Sequence, residues 1–290
     1  MDRFQGCSAI LKTLKKKELA PSLKLMLNIL ILILVGIPVL LFATVVSPQQ
    51  RGFYCNDASL SYPIISSTIS TTALVIGGLL IPIVSILIVD TIKGSSDIQS
   101  QEEFLKKCLP PKIITIFTSI GYFLFGCGCI QTITDIAKYN IGRLRPHFHA
   151  VCQTDWNSIQ TNCSSLHPVY IYPIPCLNPD HHAVREAELS FFSGHASFSS
   201  FTMIYLIFYL ENRLTFHNPA LLKPLIQFLC LVITVYTSLS RVFDYHHHWS
   251  DVLFGFIMGG TVAYLIARYV SGLIGGDKKH EQKTNDVETA

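Results

Sequence analysis

Six runs of apolar residues, at roughly 26–46, 72–92, 113–136, 192–211, 222–240 and 249–271, decide what this chain folds into. Each is about 20 residues, the length at which an α-helix crosses the hydrocarbon core of a bilayer. Lipid offers no partner for backbone N–H and C=O groups, so such runs become helices. Composition agrees, because half of the 290 residues are apolar and only 14% are charged. The expectation is an all-α membrane protein, a six-transmembrane-helix bundle over residues 26–272. An N-terminal tail (1–25) and a C-terminal tail (273–290) flank it. The first run starts too far in and runs too long for a signal peptide, so it reads as a retained span. A net charge of +3, with no basic face interleaved with aromatics, predicts no nucleic-acid partner.

Lys and Arg set the orientation. With both termini cytoplasmic, the inner side receives the Lys15-Lys16-Lys17 run, Lys93, Lys106, Lys107, Lys112, Arg213, Lys223 and the basic C-terminal tail. The outer side keeps a minority: Arg51, Lys138, Arg143, Arg145, Arg185 and Arg241. Several of these crowd into 138–146, against the positive-inside trend. An anion to be bound is the simplest reason, and snorkelling at the interface is the bland alternative. The long outer loop 147–191 carries the sequon Asn162-Cys163-Ser164, a glycosylation expectation at Asn162 that suits this orientation. Four cysteines fall outside (Cys55, Cys152, Cys163, Cys176), and two disulfides among them have three possible pairings. Cys7, Cys108, Cys127, Cys129 and Cys230 fall inside or within the membrane and are expected free. No His/Cys spacing suggests a metal site.

The other concentration of polar residues is Ser240 to Asp251, between the last two runs, with an arginine, three histidines and two aspartates. Ionisable groups against a bilayer are functional suspects. His247 and Asp251 are four apart and share a helical face, and His248 and Asp251, three apart, can also meet. A third cluster, Ser193-Gly194-His195, opens the fourth span. Ser and Gly there are helix-cap residues on the modest reading. A helix start also presents free N–H groups to an anion, and capping alone does not explain His195. Span counting puts all three clusters on the extracytoplasmic face, where helices end. Cations, helix-start donors, histidines and a carboxylate are the equipment of metal-free phosphoryl transfer. A channel or transporter would instead carry polar residues along its spans. Gly255 and Gly259, at GxxxG spacing, predict close packing within the bundle, with a homo-oligomer as the alternative.

These clusters resemble the motifs of the type 2 phosphatidate phosphatase superfamily, and closely those of its animal lipid phosphate phosphatases. K-x6-R-P corresponds to Lys138 through Arg145-Pro146, P-S-G-H to Phe192-Ser193-Gly194-His195, and S-R-x5-H-x3-D to Ser240-Arg241, His247 and Asp251. The resemblance implies the lumenal or exterior active site and a magnesium-independent phosphatase with no cofactor. Its expected substrates are the lipid phosphates phosphatidate, lysophosphatidate, sphingosine 1-phosphate and ceramide 1-phosphate, and its expected home is the plasma membrane, with ER or Golgi as the alternative. It makes His247 the nucleophile that becomes phosphohistidine, Asp251 its orienting carboxylate, and His195 the acid for the leaving alcohol. Lys138, Arg145, Arg241, Ser193 and Gly194 become the phosphate binders. Phe192 stands where the motif has proline, which alters how the helix entry packs.

Overall fold

The computed structural model describes residues 21–93, 111–159, 169–214 and 219–275. The expectations for most of both tails, Asn162, Cys163, Cys7 and Cys108 lie outside the described residues. Six long helices carry the fold: α1 (Pro21–Thr44), α2 (Thr71–Lys93), α3 (Pro111–Ile141), α7 (Gly194–Arg213), α8 (Leu222–Phe243) and α9 (Trp249–Leu265). A π turn, Ile266–Val270, extends α9. Short pieces lie between them: β1 (Phe53–Tyr54), α4 (Phe148–Cys152), α5 (Trp156–Ile159), β2 (Tyr170–Ile171) and α6 (His181–Ala187).

Five of the long helices are long and apolar enough to cross a membrane: α1, α2, α3, α8 and α9 with its π turn. Their outward faces expose Leu, Ile, Val and Phe along their length, as a lipid-facing surface requires. The multi-pass, mostly helical expectation is met on those five. α7 is the exception, and its position explains it. It packs against α2, α3, α8 and α9 and is walled by protein rather than lipid. Its Ser and Thr side chains therefore find protein partners: Ser197 Oγ meets Thr134 Oγ1 at 3.0 Å, and Ser199 Oγ meets Thr234 Oγ1 at 3.2 Å. Below that level Phe201, Tyr205, Leu206 and Tyr209 interlock with Ile86, Phe123 and Ile130 as the main core.

The GxxxG pair works inside the chain. A Cβ on Gly255 would lie 2.7 Å from the Ser193 carbonyl oxygen, and one on Gly259 would lie 2.2 Å from that of Ser197. Glycine at both positions lets α9 lie against α7, the packing reading of that motif. α3 runs five residues past the apolar run that predicted it, so Lys138 and Tyr139 sit on its last turn rather than in a loop.

A small cap covers the end of the bundle where α3 finishes and α7 begins. β1 pairs antiparallel with β2, Phe53 opposite Ile171. Phe53, Leu60, Leu144, Phe148, Ile159 and Ile171 form its apolar centre. Cys152 and Cys176 are disulfide-bonded to each other, which removes two of the three pairings. Cys55 is also disulfide-bonded. Cys127, Cys129 and Cys230 are free, as expected.

Candidate active site

The three motif segments meet beneath the cap. Gly142, at φ +58°, ends α3, and a Cβ there would collide with the Gln49 carbonyl oxygen. Only glycine turns the chain at this point at no steric cost. Leu144 is then buried in the cap, and Arg145 N–H is held by the Ala187 carbonyl at 2.8 Å. Ser193 caps α7: its Oγ accepts the Ala196 N–H, and its own N–H donates to the Asp251 carbonyl at 3.1 Å, tying the second motif to the third. The N–H groups of Gly194 and His195 belong to the first turn, which has no intrahelical acceptors. Lys138 Nζ reaches within 3.6 Å of the position a Cβ would take on Gly194.

His247 lies in the α8–α9 turn and is 4% exposed. Its Nδ1–H donates to the Ser190 carbonyl at 2.8 Å. A carbonyl only accepts, so this contact fixes the tautomer and leaves the Nε2 lone pair free. Burial, then the positive charges of Arg145, Lys138 and Arg241, hold its pKa well below that of an ordinary histidine. A neutral, nucleophilic imidazole at physiological pH follows. The same causes act on the neighbours: burial and then Arg241 push His246 down to about 4, and burial lowers His147.

Asp251 is fully buried, but the direct bond to His247 expected from their spacing is absent. Asp251 Oδ2 stands 4.0 Å from His247 Nδ1. The Ser190 hydroxyl comes between them, donating to Asp251 Oδ2 at 2.6 Å with its oxygen 3.4 Å from Nδ1. The reason is competition. As the third residue of α9, Asp251 accepts the N–H of His248, the helix N-cap, at 3.1 Å. It also receives Arg143 Nη1 and His248 Nδ1. Spacing placed the carboxylate beside the histidine correctly but could not show a hydroxyl from a distant segment inserted between them.

The cations are incompletely paired. Arg145 Nη2 meets Glu186 Oε2 at 3.2 Å, while its buried Nε has no acceptor. Arg241 donates Nη1 to the Ile69 carbonyl at 3.0 Å and Nη2 to Ser67 Oγ at 3.2 Å, its only carboxylate is Asp244 Oδ2 at 3.7 Å among the described residues, and its Nε is likewise buried without an acceptor. Lys138 Nζ makes no hydrogen bond or ion pair among the described residues, its carbonyl alone being taken, by the Gly142 N–H at 3.0 Å. Buried charge and unsatisfied donors are costly unless something pairs with them. Three such groups around one imidazole make a site for a polyvalent anion. His195 completes the ring: its Nε2–H donates to the Ile69 carbonyl at 3.1 Å, which leaves Nδ1 open. Among the described residues no group of three or more His, Cys, Asp or Glu could hold a metal ion.

Sequence reasoning missed the segment Ser67-Thr68-Ile69. Its carbonyl at Ile69 accepts from both His195 and Arg241. Thr68 fastens it through N–H and Oγ1 to the two oxygens of Asp244, each at 2.8 Å. A backbone carbonyl leaves no mark in a sequence, so no signal could have found it. Arg143, Ser190 and Glu186 were also unassigned. Arg143 alone had a signal, as a cation against the positive-inside trend.

The PAP2 superfamily profile matches residues 117–274. Phospholipid phosphatase 1 of Rattus norvegicus is 39% identical over 91% of this chain and 90% of its own length. Phospholipid phosphatase 2 of Homo sapiens is 37% identical over 85% of this chain and 82% of its own. A solved structure of a transmembrane PAP2-type phosphatidylglycerolphosphate phosphatase from Bacillus subtilis aligns over 87% of this chain and 96% of that one, at 15% identity and a TM-score of 0.36.

Proposed function

This chain belongs to the PAP2 superfamily, and on that premise we propose that it is an integral-membrane lipid phosphate phosphatase working through a phosphohistidine. The observation that carries this reading is the set of incompletely paired cations, Lys138, Arg145 and Arg241, around the neutral imidazole of His247. Their free donors receive the non-bridging oxygens of a phosphate monoester, with the Gly194 and His195 N–H groups as further donors. His247 Nε2 attacks phosphorus and the P–O bond to the alcohol breaks. His195 passes its Nδ1 proton to the departing oxygen, the bound phosphate having favoured its charged form. Water then attacks phosphorus, gives its proton back to His195, and the N–P bond breaks to free phosphate. Ser190 and Asp251 hold His247 in the reactive tautomer. Fixed cations do the charge stabilisation throughout, so the reaction needs no magnesium.

The substrates proposed are phosphatidate, lysophosphatidate, sphingosine 1-phosphate and ceramide 1-phosphate. α7 is proposed as the sixth span. Both termini are then cytoplasmic and the site faces the exterior or a lumen, at the plasma membrane or in ER or Golgi membranes. The test is phosphate release from phosphatidate in mixed micelles by purified protein in excess EDTA, with His247→Ala as blank. Turnover is expected in EDTA, blocked by vanadate and absent from the variant. Activity lost on chelation and restored by magnesium removes the metal-free mechanism, and wild-type turnover in His247→Ala removes the nucleophile.

A further inference from the structure

Beside Lys138 lies a cavity of about 310 Å³ that the motifs do not explain. One wall descends α3 from Lys138 to Asp135 to Gln131, and Val39 and Ala43 of α1 face it, with Glu186 at its upper edge. The outer end of α1 is fastened down. The Val46 carbonyl accepts Arg185 Nη2 at 2.6 Å, and Gln49 N–H donates to the Tyr139 carbonyl at 2.8 Å. Ala43 is exposed, on a helix long and apolar enough to cross the membrane. The cavity thus joins Lys138 to an α1 residue on the helix's exposed face.

Asp135 is the unexplained group in this cavity, at 8% exposure. Its Oδ1 accepts the Gln131 amide at 2.9 Å. Its Oδ2 accepts nothing among the described residues, and Lys138, one turn away, makes no ion pair with it. A carboxylate oxygen that lines a cavity with empty lone pairs can only accept, so it awaits a donor from whatever fills the cavity.

We propose that Asp135 is a head-group subsite that accepts a hydrogen bond from a hydroxyl or ammonium group on the carbon adjoining the phosphate-bearing carbon of the lipid. Lys138 and Asp135 are one helical turn apart, about 5 Å along the axis, which is the reach of a P–O–C–C chain and its substituent. The phosphate sits at the outer level, the donor one turn deeper, and the acyl or sphingoid chain continues past Val39 and Ala43 into lipid. Lysophosphatidates and sphingoid-base 1-phosphates carry such a donor. Diacyl phosphatidate has an ester there and presents only acceptors to a carboxylate.

This subsite rests on the lipid phosphatase reading, and its test separates the two. Oleoyl lysophosphatidate and its 2-deoxy-2-fluoro analogue are nearly equal in size and differ in the donor. In mixed micelles the wild type should favour the hydroxyl lipid by about tenfold in kcat/KM, as for a hydrogen bond to a charged group. Asp135→Ala should bring that ratio near one by losing turnover on the hydroxyl lipid alone, and Asp135→Asn should keep part of it. A wild-type ratio near one, a measurement that needs no variant to fold, overturns the subsite. Equal loss on both lipids in Asp135→Ala also overturns it. Hydrolysis of neither lipid by the wild type removes the phosphatase reading itself.

Discussion

Two buried carboxylate clusters among the described residues, one near each end of α2, are built differently. The outer one surrounds His247. The inner one lies near the other end of α2, where Asp90 accepts from Ser119 Oγ at 2.9 Å and from Tyr209 Oη. Asp90 is 19 residues along α2 from Thr71, which places the two clusters about 28 Å apart. Both contain a carboxylate from a long helix and hydroxyls from its neighbours. The difference lies in what is left over. In the inner cluster both oxygens of Asp90 have a donor. The outer cluster leaves Nε of two arginines buried without an acceptor around one imidazole, where the inner one leaves a single such atom, Arg213 Nε, at its edge. Spare donors from several cations converging on one nucleophile, rather than the presence of polar groups in a membrane protein, distinguish a binding site from a structural brace.

The largest expected effect breaks the outer cluster. Arg241→Ala removes a guanidinium that is proposed to serve the phosphate and that anchors Ile69. Turnover on phosphatidate should fall by about 10²–10³, the scale of one lost transition-state donor. Asp90→Asn should leave it within about twofold. Similar losses in both would erase the distinction.

Ser190→Ala sharpens the outer cluster from within. Had His247 and Asp251 been bonded directly, as their spacing suggested, the hydroxyl would be dispensable. The 4.0 Å gap makes it the link. The variant keeps the carbonyl that fixes the tautomer but removes the bridge to the carboxylate. We expect kcat to fall about tenfold with KM nearly unchanged, since a positioned hydrogen bond of this kind contributes about 1–1.5 kcal/mol. Unchanged kcat would restore the simpler arrangement.

A smaller effect appears in the pH profile. Arg145 is one of the positive neighbours that keep His247 neutral. Removing it stabilises the imidazolium, so the His247 pKa rises toward its ordinary value. The proposed attack needs the neutral form, so the acid limb of kcat/KM should move to higher pH in Arg145→Gln. A limb that stays in place or moves lower would show that another group sets it.

How much of this could be read from the sequence differs between helices for a physical reason. α1, α2, α3, α8 and α9 face lipid on one side and must advertise it in their composition. α7, enclosed by four of them, is released from that demand, and its interior hydroxyls dilute the apolar signal. Its run at 192–211 still placed it within two residues, and Ser193 marked the cap. In the site, side chains carrying charge were legible at Lys138, Arg145, Arg241, His247 and Asp251. Contacts made through backbone, such as the Ile69 and Ser190 carbonyls, were not, because any residue type supplies a carbonyl. Gly255 and Gly259 announced a close approach without naming the partner, which proves to be α7.

Tyr209→Phe gives the smallest change in activity and tests the inner cluster as a brace. Tyr209 is 14 residues along α7 from His195, about 21 Å, with a packed aromatic and aliphatic core between. Losing the hydroxyl leaves Asp90 Oδ1 without a donor while the ring still fills its space. An unsatisfied buried group of this kind costs about 1–3 kcal/mol, so the thermal midpoint should drop by several degrees while kcat/KM stays within about twofold. Asp90→Asn alone should cost less, because an amide left short of one partner is cheaper to bury than a carboxylate. The double variant should show coupling, since the two groups share one hydrogen bond. A Tyr209→Phe protein with wild-type stability and turnover reduced tenfold would reverse the assignment. It would mean that α7 transmits the state of its inner end to His195, and that satisfied hydrogen bonds do not suffice to mark a cluster as structural.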